Sequence, residues 1–303
     1  MAPPPGPGHL VEAVEAGGGV VTGADAAGAV VWADPADPAG LGALLDAHPD
    51  LRWVQLPWAG VEPYMTVIRA HADRLWTCGK GVYAEPVAEH ALALALAGMR
   101  HIDRYARARS WTSDGGRNLL GARVTILGGG GIARSLLRLL GPFDCQVTVV
   151  RARPGSPADP LRGATREVGV DQLDAALTGA ELAVLALALV PETVGLMDRR
   201  RLDLLAPGAY LVNVARGEHV VTDDLVAALG DGTLGGAGLD VTDPEPLPDG
   251  HPLWDFPNVV ITPHTANTQE MAVPLLAARV ADNVRRWASG DPLVGLVDPA
   301  RGY

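Results

Sequence analysis

Lysine is all but absent from this chain: Lys80 stands alone among plentiful arginines, a bias to which we attach no mechanism. Cysteine is nearly as scarce. Cys78 and Cys145 lie far apart, which excludes a disulfide framework, and no CxxC or Cys/His cluster offers a zinc site, so no metal is expected. Two thiols suit a reducing, cytoplasmic setting. Positive charge is in deficit: the net charge of −11 argues against a nucleic-acid partner, which a basic face usually meets. Long apolar runs are missing too. The longest, near Ala91 to Met99 and Leu182 to Val190, are too short to span a bilayer. The opening MAPPPGPGHL lacks the basic and apolar regions of a signal peptide.

What is present suffices for a packed core. The 303 residues are 48% hydrophobic and 19% charged, enough for one large domain or two ordinary ones. After an irregular Pro/Gly-rich start, Ala29 to Asp34 reads as a strand, Pro38 to His48 as a helix, Arg52 to Leu56 as a strand, and Trp76 to Gly81 as a short strand and turn. A long helical pattern runs from Pro86 to about Ala108. The turn-rich SWTSDGGRNLLG follows. Six short apolar runs then alternate with helical segments: ARVTILG, CQVTVVR, ELAVLAL, AYLVNVA, GGAGLDV and NVVIT. That alternation predicts a doubly wound parallel sheet. A last helix is expected from Asn267 to about Ala288.

Between the strand RVTIL and the helix IARSLLRLLG lie four glycines, Gly128 to Gly131. The loop fits G-x-G-x-x-A, with Gly128 for the tight turn, Gly130 for close approach of backbone to a pyrophosphate, and Ala133 for close helix packing. Gly131 and Ile132 open the helix, whose free N–H groups attract phosphates. A strand before and a helix after make dinucleotide binding the favoured reading over a merely tight turn. The next strand ends in Arg151 and Arg153, where an NAD site usually carries Asp or Glu. Guanidinium can hold a 2′-phosphate, so NADP is favoured; NAD, with two solvated arginines, is the other reading. Arg216 in NVARGEHV, Asp240 and Glu245 in LDVTDPEPLP, and His264 in NVVITPHTANT each follow a strand of the second set. Ligands sit beyond the carboxyl ends of such strands.

These stretches, ILGGGGIA, VPETVGLM, NVARG, GLDVTDPEPLP and TPHTAN, in this order, resemble the D-isomer-specific 2-hydroxyacid dehydrogenase family. WVQLPWAGVE and GVYAEPVAEHALALALA resemble its substrate-side half. The resemblance implies an α/β fold of two Rossmann-like domains with doubly wound parallel sheets. A cofactor domain (93–274) would be inserted in a flavodoxin-like substrate domain (1–92 and 275–303). It implies that Arg216 binds the substrate carboxylate and polarises the keto oxygen. It makes His264 the acid in reduction and the base in reverse, with Glu245 favouring the imidazolium and fixing the ring. It places Asp240 at the nicotinamide carboxamide, and Val190, Val214 and Ala215 along the cofactor. Ala59, Gly60 and Val61 would offer backbone N–H groups to the substrate carboxylate, and Lys80 is a weaker candidate contact. Trp58 reads equally as pocket lining or core. His90 and His101, on the long helix, read as structural or surface.

The implied activity is reduction of a small 2-keto acid, such as glyoxylate or hydroxypyruvate, by a homodimer. The chain departs from the family at its prolines, where the substrate half normally opens with a strand. An NAD-linked phosphoglycerate dehydrogenase type would want an acidic residue near position 151 and often a further regulatory domain, for which the tail after Ala288 is too short. Formate enzymes place Gln where Glu245 stands. A nucleotide-responsive binding protein, like the C-terminal-binding corepressors, and an inactive paralogue are the readings of other classes.

Overall fold

A computed structural model describes residues 8–34, 36–155, 160–300 and 302. The chain divides into two compact units, residues 1–83 with 268–303, and residues 84–267. The first unit holds α1 (Gly8–Ala16), β1 (Ala29–Val31), α2 (Pro38–Ala47), β2 (Trp53–Gln55), α3 (Met65–Ala70) and β3 (Leu75–Thr77). The second holds α4 (Ala84–Met99), α5 (Ile102–Arg107), β4 (Arg123–Leu127), α6 (Gly131–Leu140), β5 (Gln146–Val150), β6 (Arg166–Val168) and α7 (Leu173–Leu177). It continues with β7 (Leu182–Leu185), α8 (Arg199–Leu202), β8 (Ala209–Asn213), α9 (Thr222–Gly230), β9 (Leu234–Leu239) and β10 (Val259–Ile261). The chain then returns to the first unit as α10 (Gln269–Ser289).

In the first unit β1, β2 and β3 pair in parallel, in that order. The proline-rich stretch at 1–7, where the sequence reading misses a strand, lies outside the described residues. From Gly8 the chain is helical, not irregular. Leu10 and Ala13 give α1 an apolar face, which packs with Leu276, Val280 and Val284 of α10 and with Trp53. Gly17 makes the approach possible, because a Cβ there would run into the Ala281 carbonyl and Val284. A buried polar chain ties α10 to the strands: Asn283 donates to Gln55 at 2.9 Å, and Thr77 donates to Gln55 and accepts from the Trp53 indole. Each of these groups finds a partner, as burial demands.

The second unit is one parallel seven-stranded sheet, ordered β10-β9-β8-β7-β4-β5-β6. Its direction of growth reverses beside β4, the crevice where doubly wound folds bind nucleotides. Both faces are buried, as an all-parallel sheet requires. Val124, Ile126, Val184 and Val212 point to one face with α4 and α6, while Leu127, Leu185, Leu211 and Leu239 point to the other.

The structure corrects the sequence reading in several places. A seventh strand, β6, was not expected; its Arg-Glu-Val is too short and polar to stand out as an apolar run. The long helix is two. His101 takes a left-handed backbone (φ 55°), which ends α4 and starts α5 two residues after the last turn of α4, where Gly98 sits. α4 lies whole within the second unit, so the division after residue 92 cuts through a continuous helix.

Candidate active site

At the head of β4 the chain passes into Gly128 with φ of 109°. A Cβ there would collide with the Ala186 carbonyl, just beyond β7, so only glycine fits. Gly130 is extended, and nothing lies within 4 Å of where its Cβ would be. It caps α6 without any side-chain hydrogen bond, which leaves the first N–H groups of the helix, at Gly131 and Ile132, to an outside acceptor. Ala133 is fully buried beneath. An open glycine step before an uncapped helix fits the pyrophosphate of a dinucleotide. Val190, Val214 and Ala215 line the turns after β7 and β8; the Val190 N–H donates to the Thr193 hydroxyl, and Val214 and Ala215 are buried.

The two arginines after β5 differ. The Arg151 side chain is only 8% exposed; its stem fills the space beside Gly129, and its Nη2 lies 2.7 Å from Glu167 of β6. Glu167 also accepts from the N–H groups of Gly155 and Leu161. Burial pulls its pKa up, but those N–H groups and the Arg151 guanidinium outweigh burial and hold it below the usual carboxylate range. Arg153 faces solvent.

The neighbouring ends of β8, β9 and β10 carry the rest. Asn213, Leu239 and Ile261 stand side by side in the sheet. Buried Asn213 shapes the turn after β8: its side chain donates to the Arg216 carbonyl at 2.8 Å and accepts from the Ala215 N–H. Half-buried Arg216 donates from Nη1 to the Ala215 carbonyl. Gly217 lets this turn lie against the next loop, since a Cβ there would strike the Thr242 carbonyl. Asp240 caps β9 and is 2% exposed. Its N–H donates to the Asn213 carbonyl and its own carbonyl accepts from His264 N. Its carboxylate accepts from the Thr262 hydroxyl at 2.6 Å and from the N–H groups of Thr265 and Ala266.

His264 is held in the left-handed region, φ 53°, a conformation that costs a non-glycine residue on the order of 1–3 kcal/mol and persists only where the surroundings enforce it. Its N–H is shared between the carbonyls of Asp240 and Thr262. Its Nδ1 lies 2.7 Å from Glu245 Oε1, and the two side chains are 52% and 42% exposed. A carboxylate only accepts, so Nδ1 carries the hydrogen and Nε2 is left to exchange a proton.

In the first unit, exposed Trp58 packs its ring against Tyr83 at 6.1 Å. Gly79 donates to the Trp58 carbonyl and has no room for a Cβ against Pro57, so the segments around 58 and 79 run together. The Ala59 carbonyl faces the Cys78 thiol, Gly60 is half-buried, Val61 is buried, and exposed Lys80 accepts through its carbonyl from Arg279.

Sequence reasoning gave four residues no role in the site. Asn213 and Thr262 sit inside the motifs it quoted, unremarked. Glu167 gave no signal. Of the two readings given to His90, structural or surface, the first fits: its Nε2 lies 2.9 Å from the Thr262 hydroxyl. A histidine in the apolar ALALALA helix was the one available hint. Among the described residues no cluster could hold a metal ion, and no helix is long and apolar enough to cross a membrane.

A glycine loop at the switch point of a parallel sheet, with an arginine and a carboxylate-paired histidine at nearby strand ends, defines a dinucleotide-linked oxidoreductase. Residues 90–266 match the family D-isomer specific 2-hydroxyacid dehydrogenase, NAD binding domain. The chain is 36% identical over 224 residues to glyoxylate/hydroxypyruvate reductase A of Serratia proteamaculans, covering 73% of this chain and 69% of that one. The D-isomer specific 2-hydroxyacid dehydrogenase of Xanthobacter autotrophicus, solved with NADPH and MES, superposes with a TM-score of 0.82 at 29% identity, over 100% of this chain and 98% of that one. The NADPH-dependent glyoxylate/hydroxypyruvate reductase of Sinorhizobium meliloti, solved with NADP and sulfate, gives 0.79 at 26% identity, over 98% and 97%. This chain belongs to the D-isomer specific 2-hydroxyacid dehydrogenases, oxidoreductases that act on a CH–OH group with NAD(P).

Proposed function

We propose that the protein reduces a small 2-keto acid of the glyoxylate or hydroxypyruvate kind to its 2-hydroxy acid, with NADP(H) favoured over NAD(H). The pairing of His264 with Glu245 at 2.7 Å carries the reading. The bound nicotinamide supplies the hydride. Arg216, positioned by Asn213, holds the substrate carboxylate with its paired donors and draws electron density from the keto oxygen. His264 gives that oxygen the proton from Nε2, and in the oxidative direction takes it back. Glu245 keeps the ring oriented and balances its charge. Among the described residues the Asp240 Oδ2 receives the Ala266 N–H alone, so it retains acceptor capacity that suits a carboxamide donor.

The preference for NADP rests on Arg153, exposed after β5, and on the lack of any carboxylate at 151 or 153. Two relatives whose structures hold NADPH or NADP support it. A homodimer formed through the second unit accords with the fully exposed Trp111 and with exposed Ile102 and Leu120. Two free cysteines accord with a cytoplasmic setting.

Initial rates with glyoxylate, hydroxypyruvate, pyruvate and phenylpyruvate, each with NADPH and NADH, test the proposal. NADPH-linked turnover of glyoxylate or hydroxypyruvate, lowered about 10²- to 10⁴-fold in His264→Ala, is the expected result. No turnover despite NADPH binding would move the protein to the nucleotide-responsive binders.

A further inference from the structure

The loop that carries His264 is not held by its own strand alone. Thr262 precedes it by two residues, and the Thr262 hydroxyl stands between two partners: Asp240 Oδ1 at 2.6 Å and His90 Nε2 at 2.9 Å. His90 Nε2 is also 3.5 Å from Asp240 Oδ1. The directions of these bonds follow from counting protons. The Asp240 carboxylate already accepts from two backbone N–H groups and can only accept again. The Thr262 hydroxyl has one hydrogen, which therefore goes to Asp240. Its lone pair then needs a donor, and His90 Nε2 is the atom placed to supply one. The ring is fixed as an Nε2–H donor from α4, a helix 172 residues away in sequence from Thr262.

We propose that His90 is a positioning residue for the reaction. By donating to Thr262 it keeps the hydroxyl aimed at Asp240. Asp240 in turn fixes the backbone on both sides of His264: its carbonyl accepts the His264 N–H, and its carboxylate accepts those of Thr265 and Ala266. The left-handed backbone of His264 is thus clamped from α4, and with it the direction in which Nε2 presents its proton. The ends of β9 and β10 alone would leave the hydroxyl free to turn. Without the His90 donor, the Thr262 hydroxyl can rotate away from Asp240 and the reactive ring samples directions that do not reach the keto oxygen. Substrate binding through Arg216, whose turn is shaped by the Asn213 side chain, is expected to be spared. This inference rests on the reading of His264 as the proton donor.

The test uses the full-length protein with NADPH and glyoxylate, or hydroxypyruvate where that is the better substrate. His90→Leu removes the donor and keeps the volume. His90→Gln places an amide N–H where Nε2 stood. Expected is a fall in kcat of about tenfold in His90→Leu, the scale of losing a group that orients a reacting one. KM and the NADPH dissociation constant, read by cofactor fluorescence, should stay within about twofold to threefold. His90→Gln should recover most of the lost kcat. Thr262→Val should lower kcat by a similar factor, and adding His90→Leu to it should do little more, because the first change already breaks the chain of bonds. Multiplicative losses in the double variant would overturn the proposal. So would His90→Leu at the wild-type kcat, or His90→Gln as impaired as His90→Leu. Should Leu at 90 fail to fold, the comparison of Thr262→Ser with Thr262→Val decides: Ser must keep the rate that Val loses. A His264→Ala control separates two failures. Turnover surviving in it removes the acid and this inference together. Turnover lost there but untouched by His90→Leu overturns the role of His90 alone.

Discussion

At the scale of single residues, like side chains in like sequence positions take on different work. Arg151 and Arg153 both follow β5 and read alike. The first is buried against Glu167 and fills the space under Gly129; the second reaches solvent. Under the proposed preference for NADP, Arg153 is the arginine that would meet a 2′-phosphate. Arg153→Ala should therefore raise the KM for NADPH by about tenfold, the scale of one charge-assisted contact, and leave that for NADH nearly unchanged. Steady-state kinetics with both cofactors checks this; equal losses with both would remove Arg153 from cofactor choice. The positions of Arg216, Glu245 and His264 were legible because each polar group comes just after an apolar strand run, at the sheet edge where ligands bind. Their supports were not. His90 acts through a partner that only the folded sheet brings near, and no local pattern marks a side chain whose partner is 172 residues distant.

At the scale of elements, the β4–α6 crossing and the short turn after β8 carry the site. Gly128→Ala puts a methyl group into the Ala186 carbonyl at a φ that L-residues avoid. It should lower stability by at least about 1–3 kcal/mol and weaken dinucleotide binding, to be read from urea unfolding and NADPH titration. A protein of wild-type stability would show that the loop yields more easily than its geometry implies. The turn Gly217–His219 makes a pH-dependent contribution. His219 is fully buried with its Nδ1 on the Thr193 carbonyl, and burial lowers its pKa below the ordinary imidazole value. The unfolded chain then binds a proton at a pH where the folded one does not, so stability is full above about pH 6.5 and falls as the pH drops toward the lower folded value. Urea midpoints between pH 8 and pH 5.5 should fall less steeply in His219→Asn, which keeps a donor near Nδ1 but does not titrate; parallel curves would contradict the assignment.

Six of the seven strands in the larger sheet were readable, because each is an apolar run bounded by turn residues. β6 was hidden by its arginine and glutamate, and the break at His101 by the continuous helical pattern across it. α1 was hidden by the prolines before it.

At the scale of the whole molecule, the two units differ in how their cores are assembled. The larger sheet is built from one continuous stretch of chain. The smaller unit depends on α10 to cover Trp53 and to supply Asn283 to the Gln55 and Thr77 chain of hydrogen bonds. Exposed Trp111, Ile102 and Leu120 belong to the larger unit. If they meet a second copy, light scattering after gel filtration should give the mass of a dimer, and Trp111→Glu should shift it toward the mass of one chain. A wild-type protein that elutes as a single chain at all concentrations would rule the dimer out.

The return of the chain through α10 also sets an order of events during synthesis. α1, β1, β2 and β3 leave the ribosome before the larger unit, yet the helix that covers Leu10, Ala13 and Trp53 is made after it. Residues 84–267 are translated in between, an interval of roughly 10–40 s at the usual elongation rate of about 5–20 residues per second. Through that time the nascent N-terminal segment carries an uncovered apolar face, while the larger unit is free to fold behind it. The newborn protein would thus be complete at its nucleotide loop before it is complete at its own beginning, and that interval is when a chaperone would be of most use to it.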